Sequence, residues 1–144
     1  MRSRLLFALF ACVLGAFAAD DPFVGAWKLN AAKSKFSPGP APQSITVTIA
    51  QDSVTVEETS AQGETAKWSY PTNQSGPATV TGMPNSTVVE TRKGNTVEHS
   101  WKFGNSAMTG KGVVSKDGKT MTYSLRGTDE KGQKVSNTEV YEKQ

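Results

Sequence analysis

From Gly25 onward, apolar side chains alternate with polar ones in short runs, each bounded by turn-forming residues. A period of two is the mark of strands that turn one face inward. It predicts strands near Gly25–Asn30, Ser44–Ala50, Ser53–Thr59, Ala66–Tyr70, Ala78–Gly82, Ser86–Arg92, Thr96–Phe103, Ala107–Ser115, Thr120–Thr128 and Lys134–Tyr141. These runs are rich in valine, isoleucine, threonine and aromatics, which pack well on a pleated surface. No segment carries a helical apolar stripe of useful length. Asp117-Gly118, between Val113-Val114 and Met121-Tyr123, predicts a two-residue hairpin turn. Lys93-Gly94-Asn95 and Glu130-Lys131-Gly132-Gln133 predict slightly longer ones. Most connections are too short for a parallel crossover. The expected fold is all-β: an antiparallel up-and-down meander of about eight to ten strands, closed or nearly closed into a barrel.

Two stretches break the rhythm. Ala31 to Gln43, with Pro38, Pro40 and Pro42, predicts an extended, polyproline-like path, and Pro71 to Pro77 a polar loop. Either fits a binding lid or a connection clamped onto a barrel end. Gly110-Lys111-Gly112, inside a strand pattern, predicts a bulge or barrel bend.

Alternation also assigns faces. Ile45, Val47 and Ile49 share one side, and Val54 and Val56 continue it. Trp68 and Tyr70 lie together opposite Lys67 and Ser69; Val97, His99, Trp101 and Phe103 form one face, and Met121, Tyr123 and Leu125 another. His99 is the sole histidine and falls on an apolar face. It fits either a neutral ring bonded to a neighbouring hydroxyl or carbonyl, or a polar group orienting a ligand in an apolar cavity. Trp68, Tyr70, His99, Trp101, Phe103, Met121 and Tyr123 are the candidate ligand-binding residues, with Met108 beside them. The same side chains also make an ordinary packed core.

The N-terminus has a different character. Arg2 and Arg4 precede an apolar run from Leu5 to Phe17 that ends at Ala16-Phe17-Ala18. A charged start, a short apolar stretch and an A-x-A exit read as a secretory signal over residues 1–18, leaving a single domain over 19–144. The run is shorter than the roughly 20 apolar residues that span a bilayer, so no stable membrane insertion is expected after cleavage. Leu9-Phe10-Ala11-Cys12 faintly resembles a lipobox, which would anchor the chain through Cys12, but Phe10 is bulky where a small residue belongs. The expected location is periplasmic or secreted. Cleavage alters the charge: the full chain has 16 basic and 13 acidic side chains, and losing Arg2 and Arg4 leaves 14 against 13, or +1. Scattered, nearly balanced charge argues against a nucleic-acid partner. Cys12 is the only cysteine, so the domain rests on its core without a disulfide.

Catalytic signatures are missing from the sequence. A lone histidine, no mature cysteine and no G-x-S-x-G elbow leave no recognisable nucleophile system. Histidine–cysteine zinc sites are excluded by count, and no P-loop or dinucleotide fingerprint occurs, so neither metal nor cofactor is expected. Glu57-Glu58 is the one mid-chain acidic pair, and neighbours on a strand face opposite ways.

Phe23-Val24-Gly25-Ala26-Trp27-Lys28-Leu29-Asn30 resembles the first strand of lipocalins and the wider calycin group, with its G-x-W signature. The longer stretch through Lys33-Ser34-Lys35-Phe36, and the closing stretch from Asp117 to Lys143, resemble small secreted bacterial lipocalin-like proteins. The resemblance implies an up-and-down barrel that often holds a small hydrophobic molecule. It further implies that Gly25 and Trp27 are structural, with Trp27 packed at the closed end beneath an arginine, for which Arg126 is the candidate by strand order. The lipocalin T-D-Y motif, disulfide and C-terminal helix have no counterpart in this sequence. The expected function is non-enzymatic binding of a small apolar or amphipathic molecule. The alternative is an envelope or protein-interaction module whose interior is filled. A hydrolase or isomerase would require His99 and a partner acid or hydroxyl to converge in a cleft. For export, N-terminal sequencing of the mature protein should start at Ala19 or Asp20; a lipid-modified Cys12 at the terminus would overturn the cleaved-signal reading.

Overall fold

The computed structural model describes residues 20–144, so the expected signal segment and Cys12 lie outside the described residues. Ten antiparallel strands form one sheet: β1 (Gly25–Leu29), β2 (Ser44–Ile49), β3 (Ser53–Thr59), β4 (Thr65–Pro71), β5 (Ala78–Thr79), β6 (Ser86–Lys93), β7 (Thr96–Phe103), β8 (Ser106–Val114), β9 (Thr120–Thr128) and β10 (Lys134–Lys143). The order β4-β3-β2-β1-β10-β9-β8-β7-β6-β5 is a meander in which β1 and β10 pair to join the ends of the chain. The remaining seam, between β4 and β5, carries one bridge: Ser69 and Thr81 exchange backbone bonds of 3.0 and 2.8 Å. The barrel is therefore nearly closed. The only helical piece among the described residues is a 3-10 turn at Ala31–Lys33, capped by the Asn30 side chain.

Strand assignments from alternation agree with the structure at nearly every element. The exceptions are local. Ala78–Gly82 shortens to the two residues of β5, because the chain must turn at the positive-φ Gly82, where a Cβ would strike the Lys67 carbonyl. Asp117-Gly118 is not a two-residue turn: Ser115 bonds Thr120 across a loop of four, and Asp117 caps it by accepting from Ser115 Oγ and Lys119 N. The tight turns are instead Gly94-Asn95, between the paired Lys93 and Thr96, and Gly104-Asn105, between Phe103 and Ser106. Glycine at φ 59° and 55° takes the first central position of each, where a type II′ hairpin turn requires positive φ. Gly110 and Gly112 sit in an uninterrupted ladder with no bulge. Their missing side chains make room for the Tyr123 ring, which a Cβ at Gly110 would strike.

In an up-and-down ring the connections alternate between ends. Residues 30–43, 60–64, 80–85, 104–105 and 129–133 therefore gather at one end, and 50–52, 72–77, 94–95 and 115–119 at the other, with the start of β1. The second end is sealed. Trp27 and Phe23 are fully buried there, and Trp27 Nε1 donates to the Phe23 carbonyl at 2.8 Å. The loop over 71–77 is clamped to the same end by the Thr72 amide on the Asp52 carbonyl at 2.9 Å.

The cation above Trp27 is Lys143 rather than Arg126. Its Nζ lies 5.1 Å from the ring centroid, and the β1–β10 register pairs the two residues directly. Gly25 belongs to the same arrangement: at φ 140°, a Cβ there would come within 2.7 Å of the Lys143 stem. Arg126 points outward and bonds Ser136, its cross-strand partner on β10.

At the opposite end, the proline-rich segment docks along the half of β10 that β1 is too short to cover. Lys35 and Thr138 exchange backbone bonds of 2.7 and 2.8 Å, and the Ser136 amide reaches Ser37 at 2.7 Å. The Trp27 seal generates a stability prediction. Trp27→Ala should cost about 3–5 kcal/mol in urea unfolding, as deletion of a buried large aromatic does. A near-neutral result would show that the seal does not hold the barrel end.

Candidate functional site

Inside the barrel lies a cavity of about 420 Å³. Its walls follow from strand alternation: Ile45, Val47 and Ile49 from β2, Val54 and Val56 from β3, and the inward faces of β4, β7 and β9. All seven candidate residues line it, namely Trp68, Tyr70, His99, Trp101, Phe103, Met121 and Tyr123. Met108 does not; Met83, from the 80–85 connection, stands in the wall instead. Phe23 closes the sealed end, and Phe36, Pro38, Pro40 and Pro42 border the other. Trp101 stacks on Phe103 at 5.7 Å between ring centroids and meets Tyr70 edge-on at 5.4 Å, both favoured aromatic geometries.

His99 sits within a continuous polar chain. Trp101 Nε1 donates to the Tyr123 hydroxyl at 3.0 Å, and that hydroxyl lies 3.1 Å from His99 Nδ1. On the far side of the ring, His99 Nε2 is 2.9 Å from Glu90 Oε2, to which the Tyr70 hydroxyl also donates at 3.1 Å. Arg92 completes the chain, with Nε on Glu90 Oε1 at 2.6 Å and one terminal nitrogen on Asp21 at 2.7 Å. His99 Nε2 also lies 3.1 Å from the Tyr70 hydroxyl. Nε2–H donates to the Glu90 carboxylate, as do Tyr70 and Arg92, and the Tyr123 hydroxyl can either donate to Nδ1 or accept from it.

The ionisation of these groups follows from their surroundings. Burial pushes Glu90 up, but the bonds and charges of His99 and Arg92 outweigh it and hold the carboxyl below its usual value. Burial, reinforced by the Glu90 charge, raises Tyr70 well above an ordinary phenol. Burial also raises Tyr123, against the Trp101 bond. His99 thus meets an acid and two hydroxyls in a cleft, the convergence that a catalytic reading requires. The phenols, however, are held protonated, whereas an activated nucleophile needs its proton loosened. The arrangement suits orientation and hydrogen bonding.

A second polar group lies on another part of the wall. Glu139 is 6% exposed and accepts from the Tyr141 hydroxyl at 2.6 Å and from Asn137 Nδ2 at 3.2 Å. Glu58 faces the same cavity, while Glu57 points outward to an ion pair with Lys67. Burial raises both inward carboxyls, with the Glu139 charge adding to the rise at Glu58. Glu90, Arg92 and Glu139 are cavity residues that sequence reasoning did not single out, and Glu58, weighed there only as half of an acidic pair, joins them. Among the described residues no group of three His, Cys, Asp or Glu side chains is placed to hold a metal ion.

No family model matches the sequence, and no curated protein does either. Among solved structures, the chain is similar to the fluorescent protein UnaG. The wild-type form aligns at 15% identity and TM-score 0.54, covering 85% of this chain and 97% of that one. A mutant form aligns at 16% identity and TM-score 0.55, covering 85% and 96%. At such low identity the likeness speaks for the fold alone: an up-and-down β-barrel over 85% of this chain.

The protein's 3 tyrosines, Tyr70, Tyr123 and Tyr141, are all buried enough to be raised above the ordinary phenol value. A raised value means that the folded state holds the phenol proton more tightly than the unfolded one. That stability is fully present below about pH 10 and is lost as pH rises toward the folded values. In an alkaline titration the native protein should therefore show almost no phenolate absorption near pH 10–11, and denaturant should release it. Normal titration of even one tyrosine in the folded protein would contradict the buried network.

Proposed function

We propose that this protein binds a small, mainly apolar molecule inside its barrel and is not an enzyme. The cavity carries this reading. A space of about 420 Å³ falls in the range of small-molecule sites, and its walls combine extensive apolar surface with a few fixed polar groups. A module that uses only its outer surface has no need of such a space. The alternative of a filled interior is disfavoured by the same volume.

The reading includes a place of action outside the cytoplasm, supported by Arg2, Arg4, the apolar run and the Ala16-Phe17-Ala18 exit. It also includes kinship with secreted lipocalin-like proteins, supported by Gly25-Ala26-Trp27 and the role Trp27 takes at the sealed end. The ring of ten strands is wider than the about eight of a lipocalin barrel, so the kinship is argued at the level of the calycin-type barrel.

The test is a neutral, environment-sensitive apolar fluorophore. It should bind the mature protein and quench tryptophan emission, since Trp68 and Trp101 line the cavity. Val56→Phe, which projects a larger side chain into that space, should weaken binding by about tenfold or more while the fold is retained. Absence of probe binding, or equal binding by a folded Val56→Phe protein, would defeat the proposal.

A further inference from the structure

The polar inventory of the cavity is lopsided. Four of its lining side chains carry formal charge: Glu58, Glu90, Arg92 and Glu139. Arg92 is the single cation, and it is engaged on two carboxylates, Glu90 at 2.6 Å and Asp21 at 2.7 Å. Glu90 is in turn surrounded by donors from Arg92, His99 and Tyr70. That chain is complete in itself and offers a ligand no free cation.

The Glu58–Glu139 region is different. Glu139 accepts from two neutral donors, Tyr141 and Asn137, and no cation approaches it among the described residues. The Glu58 carboxyl has Glu139 as its charged neighbour, with no compensating partner. It lies one residue before the end of β3, whose turn belongs to the unsealed end, so it stands between the entrance and the apolar interior. Unsatisfied acceptor capacity therefore faces the cavity at one place, beside Ile45, its cross-strand partner, and Trp68.

Resting on the ligand-binding reading above, we infer that the cavity takes a cationic amphiphile: an alkyl- or arylammonium whose head seats against Glu58 and Glu139 while its body lies in the aromatic interior. An ammonium supplies both the missing donors and the missing charge, and charge-assisted bonds of this kind are about twice as strong as neutral ones. A carboxylate ligand would instead meet two acids and no free cation, a repulsive arrangement that selects against it. Burial raises the proton affinity of both acids, with the Glu139 charge adding to the rise at Glu58, and a cation seated between them would offset that cost.

The test is displacement of the neutral fluorophore N-phenyl-1-naphthylamine by decylammonium, decanol and decanoate, below their micelle concentrations and near neutral pH. Decylammonium should displace the probe at about tenfold lower concentration than decanol, with decanoate weakest. Glu58→Gln should bring the ammonium-to-alcohol ratio toward one, and Glu139→Gln should act the same way. Thermal melts establish folding; should Glu139→Gln fail to fold, the more accessible Glu58 position carries the test. Decanoate equal to or better than decylammonium would overturn the inference, as would an unchanged ratio in folded Glu58→Gln protein. If decanol displaces the probe and head groups do not discriminate, the cavity binds ligands and only the cationic assignment fails. If neither the probe nor decanol binds, the underlying reading fails and the assignment with it.

Discussion

Ring size is the constraint from which the rest of this structure follows. Side chains can fill the interior of a barrel of about eight strands, but the diameter grows with strand number. In this ring of ten strands the walls of β2 and β3 and of β7 and β9 all border a cavity of about 420 Å³. A space remains, which the barrel closes to water at one end and leaves as an entrance at the other. At one end Trp27 and Phe23 do so as a fully buried pair linked by an indole hydrogen bond. At the other, the segment after β1 lies along β10 and brings Pro38, Pro40 and Pro42 to the cavity border. Proline suits this position because it carries no amide donor that the apolar surface would leave unsatisfied.

A cavity wall also forces polar groups into two classes. Those buried between strands must find partners within the protein, at a cost of about 1–3 kcal/mol for each one left unmade. The Trp101–Tyr123–His99–Glu90–Arg92–Asp21 chain meets this demand by matching acceptors with donors from the aromatic interior to the sealed end. Gly110 and Gly112 belong to the same device, since any side chain at Gly110 would push Tyr123 off its seat beside His99. Removing one member of such a network would expose the remainder as unpaired charge or dipole, which is why its stability is collective.

The legible parts of the sequence are those where one strand parity is apolar and the other is not. Trp68 and Tyr70 oppose Lys67 and Ser69, and Val97, His99, Trp101 and Phe103 oppose Glu98, Ser100 and Lys102, so their shared face could be read directly. β6 has valine on both parities, at Val88 and Val89, so nothing local shows that Glu90 and Arg92 turn inward. β10 mixes charged, polar and apolar residues on both parities, which hid Glu139. For Glu57-Glu58 the parity of Val54 and Val56 puts Glu58 on the inward face, and the ion pair of Glu57 with Lys67 agrees; what the sequence did not show was the Glu139 charge beside it. Long-range register was the other missing quantity. Strand order alone suggested Arg126 over Trp27, whereas the pairing of β1 with β10 puts Lys143 there. Turn chemistry misled at Asp117-Gly118, where the Asp117 side chain organises a wider loop through Ser115 and Lys119.

Holding and transforming a molecule make opposite demands on the groups around it. Catalysis by a phenol or imidazole needs a proton that can leave and return at the working pH. Here Tyr70 and Tyr123 are raised by burial, and both ring nitrogens of His99 are engaged within the wall. The polar network is internally complete: its donors and acceptors bond one another along the cavity wall. What remains to meet an occupant is aromatic surface at Trp68, Trp101 and Phe103, and carboxyl oxygen at Glu58 and Glu139. Surface of that kind selects by shape and charge, and together with the internally satisfied histidine network it supports the proposed binding role.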